Sequence, residues 1–219
     1  MIVTIDGPAG SGKSTVARRL AERLGFRFLD TGAMYRAVGL KCVLEKVDLK
    51  DQEAIARAAE LAVIDLEQDR VWLDGSDVTD DIRTPDASDA ASKVAVVPQV
   101  RTALVELQRR FAGARNVVTE GRDQGTVAFP AAECKFFLTA DTAERAQRRQ
   151  QELESQGTIV ALEEIQAQII ERDARDSGRA VAPLLPAHDA ILVDTSGREI
   201  DCVVDELERR VRAVEARRP

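Results

Sequence analysis

Cysteine and histidine are scarce in this 219-residue chain, and no long apolar run occurs in it. The three cysteines, Cys42, Cys134 and Cys202, are scattered and odd in number, and they lack metal-ligand spacing. The single His188 cannot complete a zinc site with them. They read as buried small hydrophobes, in a chain long enough to bury a substantial core without crosslinks. No stretch reaches the ~18 to 20 apolar residues of a membrane span, and no basic, signal-like segment precedes the first strand, so a cytoplasmic protein with no membrane partner is expected. Positive charge is also in deficit: 31 Lys and Arg stand against 38 Asp and Glu, for a net charge of −7 and a pI near 5.0. That balance excludes a broad electrostatic footprint for DNA or RNA. Any polyanion must be met by a local cluster of arginines, and small phosphorylated ligands suit such a surface best.

The strongest signal is at the start. Met1 to Asp6 reads M-I-V-T-I-D, a short β-branched apolar run, and it breaks into G-P-A-G-S-G-K-S before helical spacing begins. The spacing Gly7-x4-Gly12-Lys13-Ser14, between a strand and a helix, is that of a phosphate-binding loop. Gly7, Gly10 and Gly12 allow positive φ, so that backbone N–H groups turn inward around an anion. Pro8, Ala9, Ser11 and Thr15 complete the cradle. Lys13 supplies a mobile cation for the β and γ phosphates, Ser14 a hydroxyl for Mg²⁺, and the following helix its positive end. The alternative, an ordinary glycine turn followed by a surface lysine, accounts for neither the spacing nor its context. The fate of the γ phosphate is left open, since kinases, GTPases and motor ATPases share the loop.

Beyond the loop, Val16, Ala17, Leu20, Ala21 and Leu24 line one face of a helix over Lys13 to Leu24, which Gly25 ends. A second strand, Phe26 to Leu29, runs into D-T-G-A-M-Y-R and a helix over Ala33 to Leu44, with Thr31, Tyr35 and Arg36 near one side of its first turn. In an open parallel sheet that is where ligands bind, although Tyr35 packed and Arg36 merely solvated is the competing reading. A polar helix over Asp51 to Leu61 precedes short apolar runs from Leu61 to Thr79 that suit a hairpin or three-stranded sheet. Residues 61–98 therefore read as an inserted subdomain. A helix over Gln99 to Phe111 follows, with Val100, Leu104, Leu107 and Phe111 as its apolar stripe. Ser92 and Arg101 flank Pro98, where composition alone does not separate cleft residues from surface ones.

A third strand, Asn116 to Glu120, ends in E-G-R-D-Q-G-T. Glu120, a carboxylate at a strand's end before glycine, is a candidate to help position Mg²⁺. Arg122 and Asp123 stand side by side after it, opposite charges that one ligand would use together. Strands over Lys135 to Ala140 and Ala190 to Thr195, each followed by helical sequence, bring the count to five. A final helix, Asp201 to Ala216, carries Val204, Leu207, Val211 and Val214 on one stripe. Strands alternating with helices behind a phosphate loop predict a doubly wound α/β sandwich of three layers around a five-stranded parallel sheet.

Between the last two strands lies the cluster that the charge balance demands. Arg145, Arg148 and Arg149 occupy a helix from Ala143, and Arg172, Arg175 and Arg179 recur on another from about Leu162, beyond a turn at Gly157. With Asp173 and Asp176 adjacent, simple intrahelical ion pairs are one reading. The other is a short arginine-rich lid over 143–180, in which Arg148, Arg149, Arg175 and Arg179 stabilise charge on a transferring phosphoryl group.

G-P-A-G-S-G-K-S-T, D-T-G-A-M-Y-R, E-G-R-D-Q-G-T-V-A-F-P and E-R-D-A-R-D-S-G-R-A-V-A-P-L together resemble the bacterial cytidylate kinases, which are nucleoside monophosphate kinases. The resemblance runs end to end and implies a single domain over 1–219, with ATP and Mg²⁺ on the loop. By the same resemblance Thr31, Tyr35, Arg36, Arg122 and Arg179 surround the acceptor phosphate, Ser92, Arg101 and Asp123 face cytosine, and Arg172 and Asp176 reach the sugar. Gln124 departs from the pattern, since the family more often has an apolar residue there.

The chemistry of the residues agrees. Cytosine presents an exocyclic amine and two acceptors, so a reader needs an acceptor, Asp123 or Ser92, and a fork of donors, Arg101. Transfer of a γ phosphoryl to CMP or dCMP needs no strong base, because the acceptor phosphate is already anionic. A GTPase would carry an N-K-x-D motif, which is missing, and an ATPase acting on nucleic acid would want a basic face. A kinase of UMP, AMP or shikimate is the nearest alternative. A monomer that takes small substrates and no nucleic acid is expected.

Overall fold

Short β-branched runs alternate with amphipathic stripes along most of the chain, and the elements follow that alternation. The computed structural model describes residues 1–67, 70–155, 157–179 and 181–218; Gln68 and Asp69 of the expected insertion, and Gln156 and Ala180 of the expected lid, lie outside the described residues. In chain order, strand β1 (Ile2–Asp6), helix α1 (Lys13–Leu24) and strand β2 (Arg27–Asp30) lead into helices α2 (Thr31–Leu44) and α3 (Gln52–Leu61). Strands β3 (Ile64–Glu67), β4 (Arg70–Leu73) and β5 (Ser76–Asp77) come next, then helices α4 (Pro85–Val94) and α5 (Pro98–Ala112). Strands β6 (Val117–Gly121) and β7 (Cys134–Thr139), helices α6 (Thr142–Ser155) and α7 (Leu162–Ser177), strand β8 (Ile191–Asp194) and helix α8 (Ile200–Glu215) complete the chain. Two compact units result, one made of Met1–Leu29 with Ala114–Pro219, the other of Asp30–Gly113.

The first unit is built on a five-stranded parallel sheet with flanking helices, in the order β2-β6-β1-β7-β8. From β1 the chain goes one way to β2 and β6 and then the other way to β7 and β8, so the strand order reverses at β1. Ligands of open α/β sheets bind beyond the carboxyl ends at such a reversal. The central strands are buried nearly throughout, as parallel strands covered on both faces must be, whereas β8 at the edge is largely open. Val3, Ile5, Phe136 and Leu138 of the sheet pack with Leu20 and Leu24 of α1 and with Val204, Leu207 and Val211 of α8 in one core. Val214, expected on the same stripe, packs against this core only partly buried. Cys42 and Cys134 are buried as expected, but Cys202 is exposed. It lies on the outer face of α8, beside the stripe that starts at Val203 and Val204.

The second unit has α2 at its centre. Small residues let neighbours approach it on several sides, and Ala33, Met34, Ala37, Val38, Gly39 and Cys42 are all buried. The helix starts at Thr31, earlier than the apolar pattern implies, because Asp30 caps it by accepting from the Ala33 N–H at 2.8 Å. The expected hairpin region is a three-stranded antiparallel sheet, β3-β4-β5. The buried stripe of α5 is Val100, Leu104, Val105 and Ala112 with the polar Arg101 and Gln108 among them, while Leu107 and Phe111 are only half-buried. A hydropathy pattern cannot find a stripe that runs through an arginine and a glutamine.

Helices α2 and α4 meet at Gly39, where a Cβ would lie 2.8 Å from the Ala91 nitrogen and 3.0 Å from the Ala90 carbonyl carbon. Those are backbone atoms, so relief requires the helices to part. Gly39→Ala is expected to destabilise the protein by about 1–3 kcal/mol. Urea unfolding would show it as a lower midpoint at unchanged slope, and an unchanged midpoint would mean that the contact is not this close.

Candidate active site

The glycine loop leaves β1 and enters α1 as expected, with Gly7, Gly10 and Gly12 all at positive φ. Gly7 has a second reason to be glycine: a Cβ there would collide with the Leu138 carbonyl oxygen of β7. The loop closes on itself, since Ser11 Oγ donates to the Pro8 carbonyl at 3.0 Å and Lys13 Nζ to the same oxygen at 3.3 Å. Lys13 is buried and lies 3.8 Å from Glu120 Oε2. Burial, and after it the charge of Arg122, lower the Lys13 pKa to about 7, with Glu120 pulling the other way. Ser14 Oγ donates to Glu120 Oε1 at 3.0 Å. Lys13, Ser14 and Glu120, singled out from opposite halves of the chain, therefore meet. Among the described residues no group of three or more His, Cys, Asp or Glu could hold a metal ion. The oxygens of Ser14 and Glu120 instead fit Mg²⁺ that takes its other ligands from phosphate and water.

Around Arg122 the structure assembles most of the remaining candidates of the first unit. Arg122 Nε donates to Asp176 Oδ2 at 2.9 Å, and Arg179 Nη2 to Asp176 Oδ1. Burial raises the Asp176 carboxyl, but the charges of Arg122 and Arg179 outweigh it and hold the group below the usual carboxylate range. Arg172 adds its charge to this cluster, raising the cost of protonating both Asp176 and Lys13. Asp123 is buried beside them, directly after β6 and Arg122.

Arg148, Arg149 and Arg175 are placed differently. Arg148 reaches Thr195, donating to its carbonyl at 2.7 Å and to Oγ1 at 3.1 Å, and it pairs with Glu144. Arg149 and Arg175 pair with Glu152 and Glu171 of their own helices, at 2.6 and 2.7 Å. Of the arginines for which local ion pairing is one alternative, Arg175 pairs with Glu171 in place of an aspartate and Arg179 pairs with Asp176, while on the other helix Arg149 is paired one turn away.

The second unit holds the other candidates. Tyr35 faces Arg101, whose guanidinium carbon lies 5.7 Å from the ring centroid, and Arg101 is buried with Nη1 on the Ala95 carbonyl at 3.3 Å. Arg36 pairs with Asp30 at 3.2 Å on the first turn of α2, where Thr31 is buried. Ser92 is buried on α4 with its hydroxyl on the Ser88 carbonyl at 3.2 Å.

Three residues that sequence reasoning left without a role prove central to the first unit. Arg145 is 5% exposed and donates to the Ala9 carbonyl of the glycine loop at 3.0 Å, to Ala140 at 3.1 Å and to Thr142 at 3.0 Å, with Asp173 of α7 at 2.7 Å. The Thr195 hydroxyl, at the end of β8, lies 3.2 Å from the Ser11 carbonyl and 3.0 Å from that of Thr139. Asp6, the last residue of β1, accepts from the Gln124 and Gly125 N–H groups, each at 2.8 Å. Burial pushes the Asp6 carboxyl up to about 7 against the pull of those two amides. The only sequence signal for Asp6 was an acid ending an otherwise apolar strand.

The arrangement is a cradle for a phosphate chain with cations held around it by buried carboxylates. A family model described as cytidylate kinase matches residues 3–213. The chain belongs to the cytidylate kinase family. Cytidylate kinase of Pelotomaculum thermopropionicum is 51% identical over 216 residues, 96% of either chain. That of Caldanaerobacter subterraneus is 49% identical over 210 residues, which cover 96% of this chain and 94% of the relative. Among solved structures, an uncharacterized protein from Eubacterium ventriosum matches with a TM-score of 0.53 at 15% identity, over 99% of each chain, a likeness of fold. The family expected from the motifs is thus the one found.

The buried arginine that reaches the loop carries weight the surface pairs do not. Arg145→Met is expected to destabilise the protein by about 2–3 kcal/mol, since it strips charged hydrogen bonds from part-buried carbonyls and leaves Asp173 without its Arg145 partner. Arg149→Ala, which breaks an exposed pair, is expected to cost under about 1 kcal/mol. Chemical denaturation of both variants checks this, and equal losses would remove the distinction.

Proposed function

We propose that the chain transfers the γ phosphoryl group of ATP to the α phosphate of CMP or dCMP, releasing ADP with CDP or dCDP. Family membership supports the reaction class. The observation that carries the reading of the site is the Lys13–Ser14–Glu120 meeting at the phosphate loop, beside Arg122 on its Asp176 support. An oxygen of the acceptor phosphate attacks Pγ in line with the bond to the β-γ bridging oxygen, which breaks and leaves on ADP. The attacking phosphate is an anion already, so positioning and charge neutralisation do the work and no strong base is needed.

The residues divide as follows. Residues Gly7 to Thr15 hold the triphosphate of ATP, with Lys13 set against its β and γ oxygens. Ser14 and Glu120 hold Mg²⁺, whose positive charge offsets that of the phosphates when it is bound. From the unit Asp30–Gly113, Thr31, Tyr35 and Arg36 bind the acceptor phosphate, and Ser92 and Arg101 meet cytosine. From the other unit Arg122 and Arg179 bind the acceptor phosphate, Asp123 accepts from the cytosine amine, and Arg172 and Asp176 reach the sugar. Helices α6 and α7, which make up most of the region 143–180, act as a lid that brings Arg148, Arg149 and Arg175 to the transferring group. The pairs of Arg149 and Arg175 with Glu152 and Glu171 are exposed and cheap to exchange for phosphate. Residues 61–98 are the nucleoside monophosphate insertion of a single functional domain that works as a monomer.

Two variants and one panel of acceptors test this. Lys13→Ala is expected to lower kcat by roughly two to three orders of magnitude, as loss of one preorganised charge does; near wild-type turnover would remove the loop from the mechanism. In a coupled assay of ADP release, CMP and dCMP are expected to outrun UMP, AMP and shikimate. Asp123→Asn is expected to lower kcat/KM for CMP by about tenfold, through loss of a charge-assisted bond to the amine. Equal use of CMP and UMP by the wild type, unchanged by that variant, would take Asp123 off the base.

A further inference from the structure

Asp6 has no part in the chemistry just described, yet its carboxylate is buried at the reversal of the sheet and both of its oxygens are engaged. Oδ1 accepts from Gln124 N and Oδ2 from Gly125 N, each at 2.8 Å. These amides open a single π turn, Gln124–Ala128, in which Val127 N bonds to the Asp123 carbonyl at 2.8 Å and Phe129 N to that of Gln124 at 2.7 Å. The first N–H groups of a helical turn have no partner inside it and need an acceptor from outside. An N-cap residue ordinarily supplies that acceptor, and here Asp123 makes no side-chain cap bond. A carboxylate more than a hundred residues away does so instead, as a cap delivered from a neighbouring strand.

The turn is fixed from its other sides too. The Thr119 hydroxyl of β6 donates to Gln124 Oε1 at 3.0 Å, so Gln124 is a buried strut of this turn. Gly125 sits so close to β1 and β7 that a Cβ would lie 3.0 Å from Thr4 Oγ1 and 3.3 Å from Lys135 Cδ. Arg122 and Asp123 immediately precede this turn. Asp6 immediately precedes Gly7, the first residue of the phosphate loop.

We propose that Asp6 is a positioning residue for the acceptor nucleotide: by capping the Gln124–Gly125 amides it fixes where Arg122 and Asp123 point, with Gln124 and Thr119 as the second anchor of the same turn. The inference rests on the acceptor roles given above to Arg122 and Asp123. A carboxamide keeps one acceptor but turns an NH₂ toward the other amide, so Asp6→Asn loosens the turn while preserving shape and side-chain volume.

Steady-state kinetics of Asp6→Asn with CMP and ATP varied in turn, and with UMP as second acceptor, test it. The expected result is a fall in kcat/KM for CMP of between about 10- and 100-fold, the scale of a small misplacement of a binding group. The ratio of CMP to UMP use should fall with it, while the KM for ATP stays within about twofold. Gln124→Leu, which leaves Asp6 and the backbone amides in place and removes only the second anchor, is expected to move the same ratios in the same direction by less, and it stands in if Asp6→Asn does not fold. A general loss of active protein would lower kcat for both acceptors together and leave their ratio and both KM values unmoved; that result, or an ATP KM that rises as much as the CMP KM, overturns the proposal. If instead the wild type does not favour CMP, the reading of the reaction fails first, and the two failures are distinguished by the wild-type panel alone.

Discussion

Charge buried without a partner is too costly to keep, and the centre of the first unit is organised by that constraint. The functional reading asks for several cations close together around a phosphate chain. Each needs a counter-charge whenever that chain is absent. Glu120 faces Lys13, Asp176 sits between Arg122 and Arg179, and Asp173 takes Arg145. The effect of the crowding is visible in Lys13, which burial and neighbouring arginines bring down to about 7. On the functional reading, phosphate oxygens arriving there add to the anions that already face these cations.

The sheet makes this concentration possible. Adjacent parallel strands end together, and the pairing Ile5↔Glu120 and Asp6↔Gly121 puts two acids, Asp6 and Glu120, and the start of the glycine loop within two rungs of one ladder. Arg145 and Thr195 then hold the loop from below through its own carbonyls, at Ala9 and Ser11. With the Pro8 carbonyl taken by Ser11 and Lys13, the loop's carbonyls at Pro8, Ala9 and Ser11 all find partners within the fold.

Local features of this design were legible in the sequence, and those that depend on distant partners were not. The boundaries of α1 follow from Lys13, the apolar stripe and Gly25, all neighbours in the chain, and the glycine spacing named the loop outright. The start of α2 was read two residues late because its signal is the Asp30 cap and not the apolar periodicity. On α5 the stripe was assigned to Leu107 and Phe111, because Arg101 and Gln108 are buried only in a context that the tertiary structure supplies. Asp6 and Arg145 escaped for the same reason: their partners lie 118 and 136 positions away. Arg149 and Arg175 show the converse, since their partners are one helical turn away and an intrahelical pairing was foreseeable.

The chain has one Trp and one Tyr, and Trp72 on β4 and Tyr35 on α2 both fall in the unit Asp30–Gly113. Intrinsic fluorescence therefore comes from that unit alone. The five-stranded sheet, the glycine loop and the arginine pair on Asp176 lie in a unit whose only aromatic residues are phenylalanines, and it is spectroscopically dark by comparison. A melting curve followed by emission watches one core and is blind to the other, so coincidence of the two must be sought with a probe such as calorimetry or backbone circular dichroism before the chain is treated as folding in a single step. The same blindness is an opportunity, because in a Trp72→Phe background a tryptophan placed in the first unit would report on that unit with little competing emission.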